Sequence, residues 1–141
     1  MKLLRDLERA NILVVDDEPN AAEQAAAILR ELGHTATVAH AWTDAVRAFD
    51  PLVTDLVLMD AVMPNMDGLK LTRLLREQSR SYVPVVFLTG RGSAELRDQS
   101  IDAGADDFLT KPIDRVELRA RLKAMLRIRA LTRALEDKTH E

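Results

Sequence analysis

Leu56–Gly68 reads L-V-L-M-D-A-V-M-P-N-M-D-G. The apolar run Leu56–Met59 has the length of a buried strand, and Asp60 ends it before a loop that carries Pro64 and Gly68. A carboxylate where a buried strand meets a loop is held rigidly yet reaches solvent. In an open parallel α/β sheet, that carboxyl-terminal edge is where ligands bind. Taken alone, Asp60 reads equally well as a residue capping the next turn.

The flanking sequence repeats the pattern. Ile12–Val15 is a second buried strand, and it ends in Asp16-Asp17-Glu18. Pro19 suits the first turn of a helix, which Asn20–Leu32 continues until Gly33 stops it. Thr35–Ala39 is expected as a strand, Trp42–Phe49 as a short helix closed by Asp50-Pro51, and Leu69–Gln78 as a helix with Leu71, Leu74 and Leu75 inward. Val83–Leu88 makes a strand ending at Thr89-Gly90, Ser93–Ala103 a helix stopped by Gly104, and Asp107–Leu109 a short strand before Thr110-Lys111-Pro112. Asp114 caps a last helix, Arg115–Asp137. Strand and helix alternate five times, which predicts an α/β fold: a doubly wound, five-stranded parallel sheet with helices on both faces. Three segments follow, namely a helical lead-in over 1–10, one domain over 11–126 and an extension of the last helix over 127–141.

Composition narrows the class. The 141 residues suffice for one domain with a real core, and 47% hydrophobic with 30% charged residues describes a soluble globular chain. The absence of cysteine excludes a disulfide framework and thiolate metal sites. No apolar run approaches the roughly 20 residues of a membrane span, and charges at Arg5, Asp6, Glu8 and Arg9 interrupt any signal core. A cytoplasmic protein without membrane association is expected. The net charge of −3 hides a basic last helix, in which Arg115–Lys138 holds eight Lys/Arg against three Asp/Glu. Basic residues interleaved with leucine on a helix read as a solvated face, so no direct nucleic-acid binding is expected of this chain.

Four strands thus end in polar residues on one edge: Asp16 and Asp17, Asp60, Thr89 and, just past the fifth, Lys111. Three gathered carboxylates repel one another, and a hard cation relieves them. Magnesium takes oxygen ligands and commonly sits between carboxylates and a phosphate. A hydroxyl at Thr89 and an ammonium at Lys111 supply what a phosphoryl group on a carboxylate oxygen needs around its charged oxygens. An aspartate carboxylate is itself a phosphoryl nucleophile.

Val14-Val15-Asp16-Asp17, Asp60-x-x-Met63-Pro64-x-Met66-Asp67-Gly68, Leu88-Thr89-Gly90 and Lys111-Pro112 together resemble the receiver domain of two-component response regulators, over about 11–126. The resemblance implies the flavodoxin-like (βα)5 fold and a phosphorylation switch. In that switch a sensor histidine kinase or a phosphotransfer protein donates phosphoryl to Asp60. It implies that Asp17 and Asp60 bind Mg2+ directly, Asp16 through water and Val62 through its backbone carbonyl, while Thr89 and Lys111 hold the phosphoryl oxygens. It places Phe108 as a switch ring that turns inward as Thr89 moves, and Val62 and Arg91 at the positions that tune phosphoryl lifetime. Apolar Val62 and cationic Arg91 point to a long-lived phosphoryl state. A cis Lys111-Pro112 peptide is also implied. Trp42 departs from the pattern, standing where many relatives have Gly, so that the loop is reshaped or the indole is displayed to a partner.

Two other readings compete. A Mg2+-dependent aspartyl-phosphate phosphatase places a second Asp two residues after the nucleophile, where this chain has Val62. A scaffold that works without phosphorylation has no need of the full Asp16, Asp17, Asp60, Thr89 and Lys111 set. The favoured reading is a signalling domain and not an enzyme. Beyond Leu126 the helical pattern persists, with Ile128, Leu131 and Leu135 at the spacing of a coiled-coil seam. A parallel homodimer through that seam, leading into a downstream output domain, is expected.

Overall fold

The computed structural model describes residues 9–61, 63, 68–79, 81–90 and 106–139, the side chains of 138 and 139 excepted. Along the chain these form β1 (Asn11–Val15), α1 (Pro19–Glu31), β2 (Thr35–Ala39), α2 (Trp42–Ala48), β3 (Leu56–Asp60), α3 (Gly68–Gln78), β4 (Val85–Thr89), β5 (Asp107–Thr110) and α4 (Arg115–Thr139). The five strands make one sheet in the order β2-β1-β3-β4-β5, every neighbouring pair parallel. This is the expected doubly wound fold. The expected lead-in falls mostly, and the expected Ser93–Ala103 helix entirely, outside the described residues.

Strand alternation divides the core into two layers. Ile12, Val14, Leu56, Leu58, Val86, Leu88 and Leu109 face one way, where α1 supplies Ala22, Ala25 and Leu29 and α4 supplies Leu118, Leu122, Met125 and Leu126. Leu13, Val15, Val57, Met59, Val85 and Phe87 face the other, against Ala45 of α2 and Leu71 and Leu75 of α3. Burying both faces requires the continuously apolar strands that the central positions show. All five residues of β3 and of β4 are buried, whereas edge strand β2 alternates.

Several strand ends differ from the sequence reading: β1 starts at Asn11, not Ile12, and β5 runs to Thr110, not Leu109. Asp60 still pairs with Leu88, so β3 includes the carboxylate. β4 starts at Val85, not Val83, and runs through Thr89. Pro84 has no N–H to give to the ladder, so only its carbonyl participates, accepting from Val57 N at 2.9 Å.

Helix ends follow the residues chosen for them. Gly33 has φ 97°, the left-handed conformation that its missing Cβ permits. Gly33 N donates to Arg30 O and His34 N to Leu29 O, each at 3.0 Å, the paired bonds of a Schellman cap. Asp114 Oδ1 accepts from Val116 N at 2.9 Å and caps α4. Trp42 opens α2 and packs, half-buried, on the second layer.

The same cap delivers His34 to the amide of Ala10, which donates to His34 Nδ1 at 3.1 Å. Burial lowers the His34 pKa and outweighs the opposing pull of Asp55. The Ala10 amide needs an unprotonated Nδ1, so this contact belongs to the neutral ring. Its contribution to stability is present above the ordinary histidine pKa and is lost as pH falls through the lowered folded value. An NMR titration should place His34 below the ordinary histidine value, and a midpoint at or above that value would contradict the assignment.

Candidate functional site

The sheet reverses its winding between β1 and β3. The chain leaves β1 outward to β2 and returns to β3 on the other side of β1. The crevice at the carboxyl ends of strands flanking such a switch is the fold's natural binding place. Asp16 and Asp17 follow β1 there, and Asp60 closes β3. The three carboxylates each offer an oxygen within 4.8 Å of the others. Asp16 is fully buried, Asp60 is 8% exposed and Asp17 is half-buried.

Lys111 balances this charge. Its Nζ lies 3.1 Å from Asp16 Oδ2 and 3.4 Å from Asp60 Oδ2. Partial burial disfavours the ammonium, but the hydrogen bond to Asp16 and the charge of Asp60 outweigh it and raise the Lys111 pKa. The lysine therefore stays charged at any physiological pH. Its backbone is fixed too, since Lys111 N donates to Thr89 O at 2.8 Å and the Lys111-Pro112 peptide is cis, as expected.

The surrounding frame is rigid. Asp16 Oδ1 accepts from Glu18 N at 3.0 Å, which ties the carboxylate to the start of α1. His40 Nδ1 donates to Asp16 O at 3.1 Å. Gly68 opens α3 directly beneath β3, its N donating to Ala61 O at 3.1 Å. A Cβ built on Gly68 would lie 2.7 Å from Asp60 O, so only glycine lets the helix approach the strand end this closely.

Thr89 ends β4 and is 3% exposed. Phe108 stands beside Phe87 across the β4–β5 ladder and packs, half-buried, on the second core layer. Thr89 lies two residues beyond Phe87, so hydroxyl and ring share one face of the sheet. The structure thus brings together Asp16, Asp17, Asp60 and Lys111, with Thr89 on the same edge and Phe108 behind it. Val62 and Arg91 lie outside the described residues. Ile128, Leu131 and Leu135 sit on α4, apart from this cluster, with exposures of 41%, 50% and 67%.

His40 was not legible as a site residue. Its contact depends on the β1–β2 register, in which Val15 pairs with Ala39 and Asp16 N bonds to Ala39 O, and no spacing along the chain carries that.

An acidic cluster with a shared lysine at a switch point has the chemistry to hold a hard cation and an oxyanion, and comparison with known proteins gives the family of the fold. A profile of the response regulator receiver domain matches residues 12–123. Transcriptional regulatory protein TcrA of Mycobacterium tuberculosis is 43% identical over 116 residues, covering 82% of this chain and 46% of that protein. Transcriptional regulatory protein TrcR of the same organism is 40% identical over 116 residues, covering 82% and 45%. The receiver domain of sensor histidine kinase PA1611 from Pseudomonas aeruginosa, solved with a magnesium ion coordinated in its active site cleft, is 31% identical with a TM-score of 0.73. That match covers 83% of this chain and 97% of that one. The chain belongs to the response regulator receiver domain family of two-component signalling. It spans about half the length of the curated relatives it matches.

Proposed function

We propose that Asp60 is the phosphoacceptor of a two-component or phosphorelay switch, supplied by a sensor histidine kinase or a phosphotransfer protein in the cytoplasm. The observation that carries this reading is the Asp60 carboxylate at the β3 end, within 4.8 Å of Asp16 and Asp17 oxygens and 3.4 Å from Lys111 Nζ. A carboxylate oxygen of Asp60 attacks the phosphorus. The bond to the donor's imidazole nitrogen breaks, and an acyl phosphate forms. Lys111 faces the phosphoryl oxygens as a point charge, and Thr89 donates its hydroxyl to one of them. Movement of Thr89 frees space for the Phe108 ring, and that rearrangement carries the signal.

The donor set fits Mg2+. Asp16, Asp17 and Asp60 offer only hard oxygens, converging from two rigid strand ends, and the family resemblance assigns the Val62 backbone carbonyl as a further ligand. When bound, Mg2+ neutralises charge on the transferring phosphoryl group. Beryllofluoride titrations with and without Mg2+, followed by amide chemical shifts at Thr89, Phe108 and Lys111, test the reading. Saturable, Mg2+-dependent shifts at all three are expected, and their absence would overturn it. Val62 and Arg91 set the phosphoryl lifetime in this account.

The receiver proper spans 11–126, after a lead-in over 1–10. The extension over 127–141 presents Ile128, Leu131 and Leu135 as an exposed stripe on one side of α4. Such a stripe favours a helical partner. A parallel homodimer through it, with register or strength shifted by phosphorylation, would pass the switch to an output domain. Sedimentation velocity should show dimer for wild type and monomer for a Leu131→Glu, Leu135→Glu variant. A monomer in every state, with or without beryllofluoride, would eliminate the dimer.

A further inference from the structure

The last turns of α4 do not leave the domain where the core layer ends at Leu126, and Ala130 is still buried. Their contacts change from apolar to polar. Arg129 is 2% exposed, and its guanidinium spans two loops. Nη1 donates to Tyr82 O at 2.6 Å and to Ser81 Oγ at 2.7 Å. Nη2 donates to Pro51 O at 3.1 Å and reaches Thr54 O at 3.5 Å. Asp55 Oδ1 lies 3.9 Å from Nε and balances the charge. One turn on, Arg133 Nη2 donates to Leu52 O at 2.6 Å, and its Nη1 lies 3.6 Å from the same Asp55 oxygen.

Glu136 completes the set from the other side. It accepts from Ser81 Oγ at 2.7 Å and from Tyr82 N at 3.0 Å. Ser81 Oγ therefore accepts a hydrogen bond from Arg129 and donates one to Glu136. The two loops precede β3 and β4, so these contacts lie at the end of the sheet opposite Asp60. Tyr82 is fastened further by its hydroxyl to Asp106, ahead of β5, with the Arg76 guanidinium 5.3 Å from its ring centroid.

We propose that Arg129, with Glu136 and the backbone of Ser81-Tyr82 and Pro51–Thr54, is a latch that fixes the direction of the last turns of α4, so that they move with the receiver body and not as a free tail. The two terminal nitrogens carry the hydrogen bonds, and a planar guanidinium fork can serve two loops at once where an ammonium on one nitrogen cannot. Arg129 is a positioning residue in this role. The stripe of Ile128, Leu131 and Leu135 stays exposed while the latch is closed, so a partner helix would meet it at a fixed rotation relative to the domain. The inference does not depend on the phosphoacceptor reading.

The cysteine-free chain allows a direct test. Cysteines introduced as T43C on α2 and A134C on α4, both exposed positions, are spin-labelled and their separation is measured by electron–electron double resonance. The parent pair should give one narrow distance. Arg129→Met, Arg129→Lys and Glu136→Ala should each lose it to a broad distribution, while Arg127→Met, at an exposed arginine on the same helix, should keep it. Glu136 is peripheral enough that its variant folds even if the Arg129 variants do not. A broad distribution in the parent, or a narrow one retained in Glu136→Ala and in every folded Arg129 variant, would overturn the latch.

Discussion

Asp60→Asn should abolish phosphoryl uptake completely while leaving the fold intact. The substitution keeps the shape of the β3 end and its ladder pairing with Leu88, but replaces an anionic oxygen nucleophile with a neutral amide. It also removes one of three crowded negative charges, so thermal stability in the absence of divalent cation should hold or rise. Intact mass after treatment with a small phosphodonor and Mg2+ reads the outcome. Wild type should carry a single phosphoryl adduct, and the variant none. An adduct of equal yield in the variant would show that another residue is the acceptor.

Lys111→Met should slow phosphoryl uptake by about 10²-fold or more, the cost typical of removing one preorganised donor from a site of developing oxyanion charge. The ammonium is shared between Asp16 and Asp60, so its loss leaves two carboxylates without their common counterion. Because the folded pKa of Lys111 is raised, its contribution to stability is complete below the unfolded lysine value and is lost as pH rises through the folded one. Methionine matches the stem, so the effect reports charge and not packing. Single-turnover uptake kinetics at fixed Mg2+ measure it, and an unchanged rate would remove Lys111 from the chemistry.

Much of this site was legible because its members are punctuation. A carboxylate that ends an apolar run, as at Asp16, Asp17 and Asp60, has a place assigned by the fold as soon as the strands are seen to be parallel. Gly33 and Asp114 announced helix ends for equally local reasons. The strand containing Thr89 was placed too early because Val83 reads as well as Val85 in an apolar run, and only the missing N–H of Pro84 decides between them. The supports of the site were hidden. His40 braces Asp16 through the β1–β2 register, and His34 reaches Ala10 only because the Schellman turn at Gly33 points it there. Arg129 and Glu136 read as the solvated charges of an exposed helix, since their partners, backbone groups and the Ser81 hydroxyl, lie in loops 47 to 78 residues away. A hydrogen bond to a carbonyl leaves no trace in the identity of the residue that carries it.

The claim on which this account rests is that phosphorylation occurs at Asp60 and nowhere else. It is tested most directly by treating the wild-type chain with a small phosphodonor and Mg2+, trapping the acyl phosphate by borohydride reduction, and locating the modified residue by peptide mass spectrometry. The account predicts a single reduced position, Asp60, lost when Mg2+ is chelated. Modification at Asp16 or Asp17, or none at any aspartate, would contradict it.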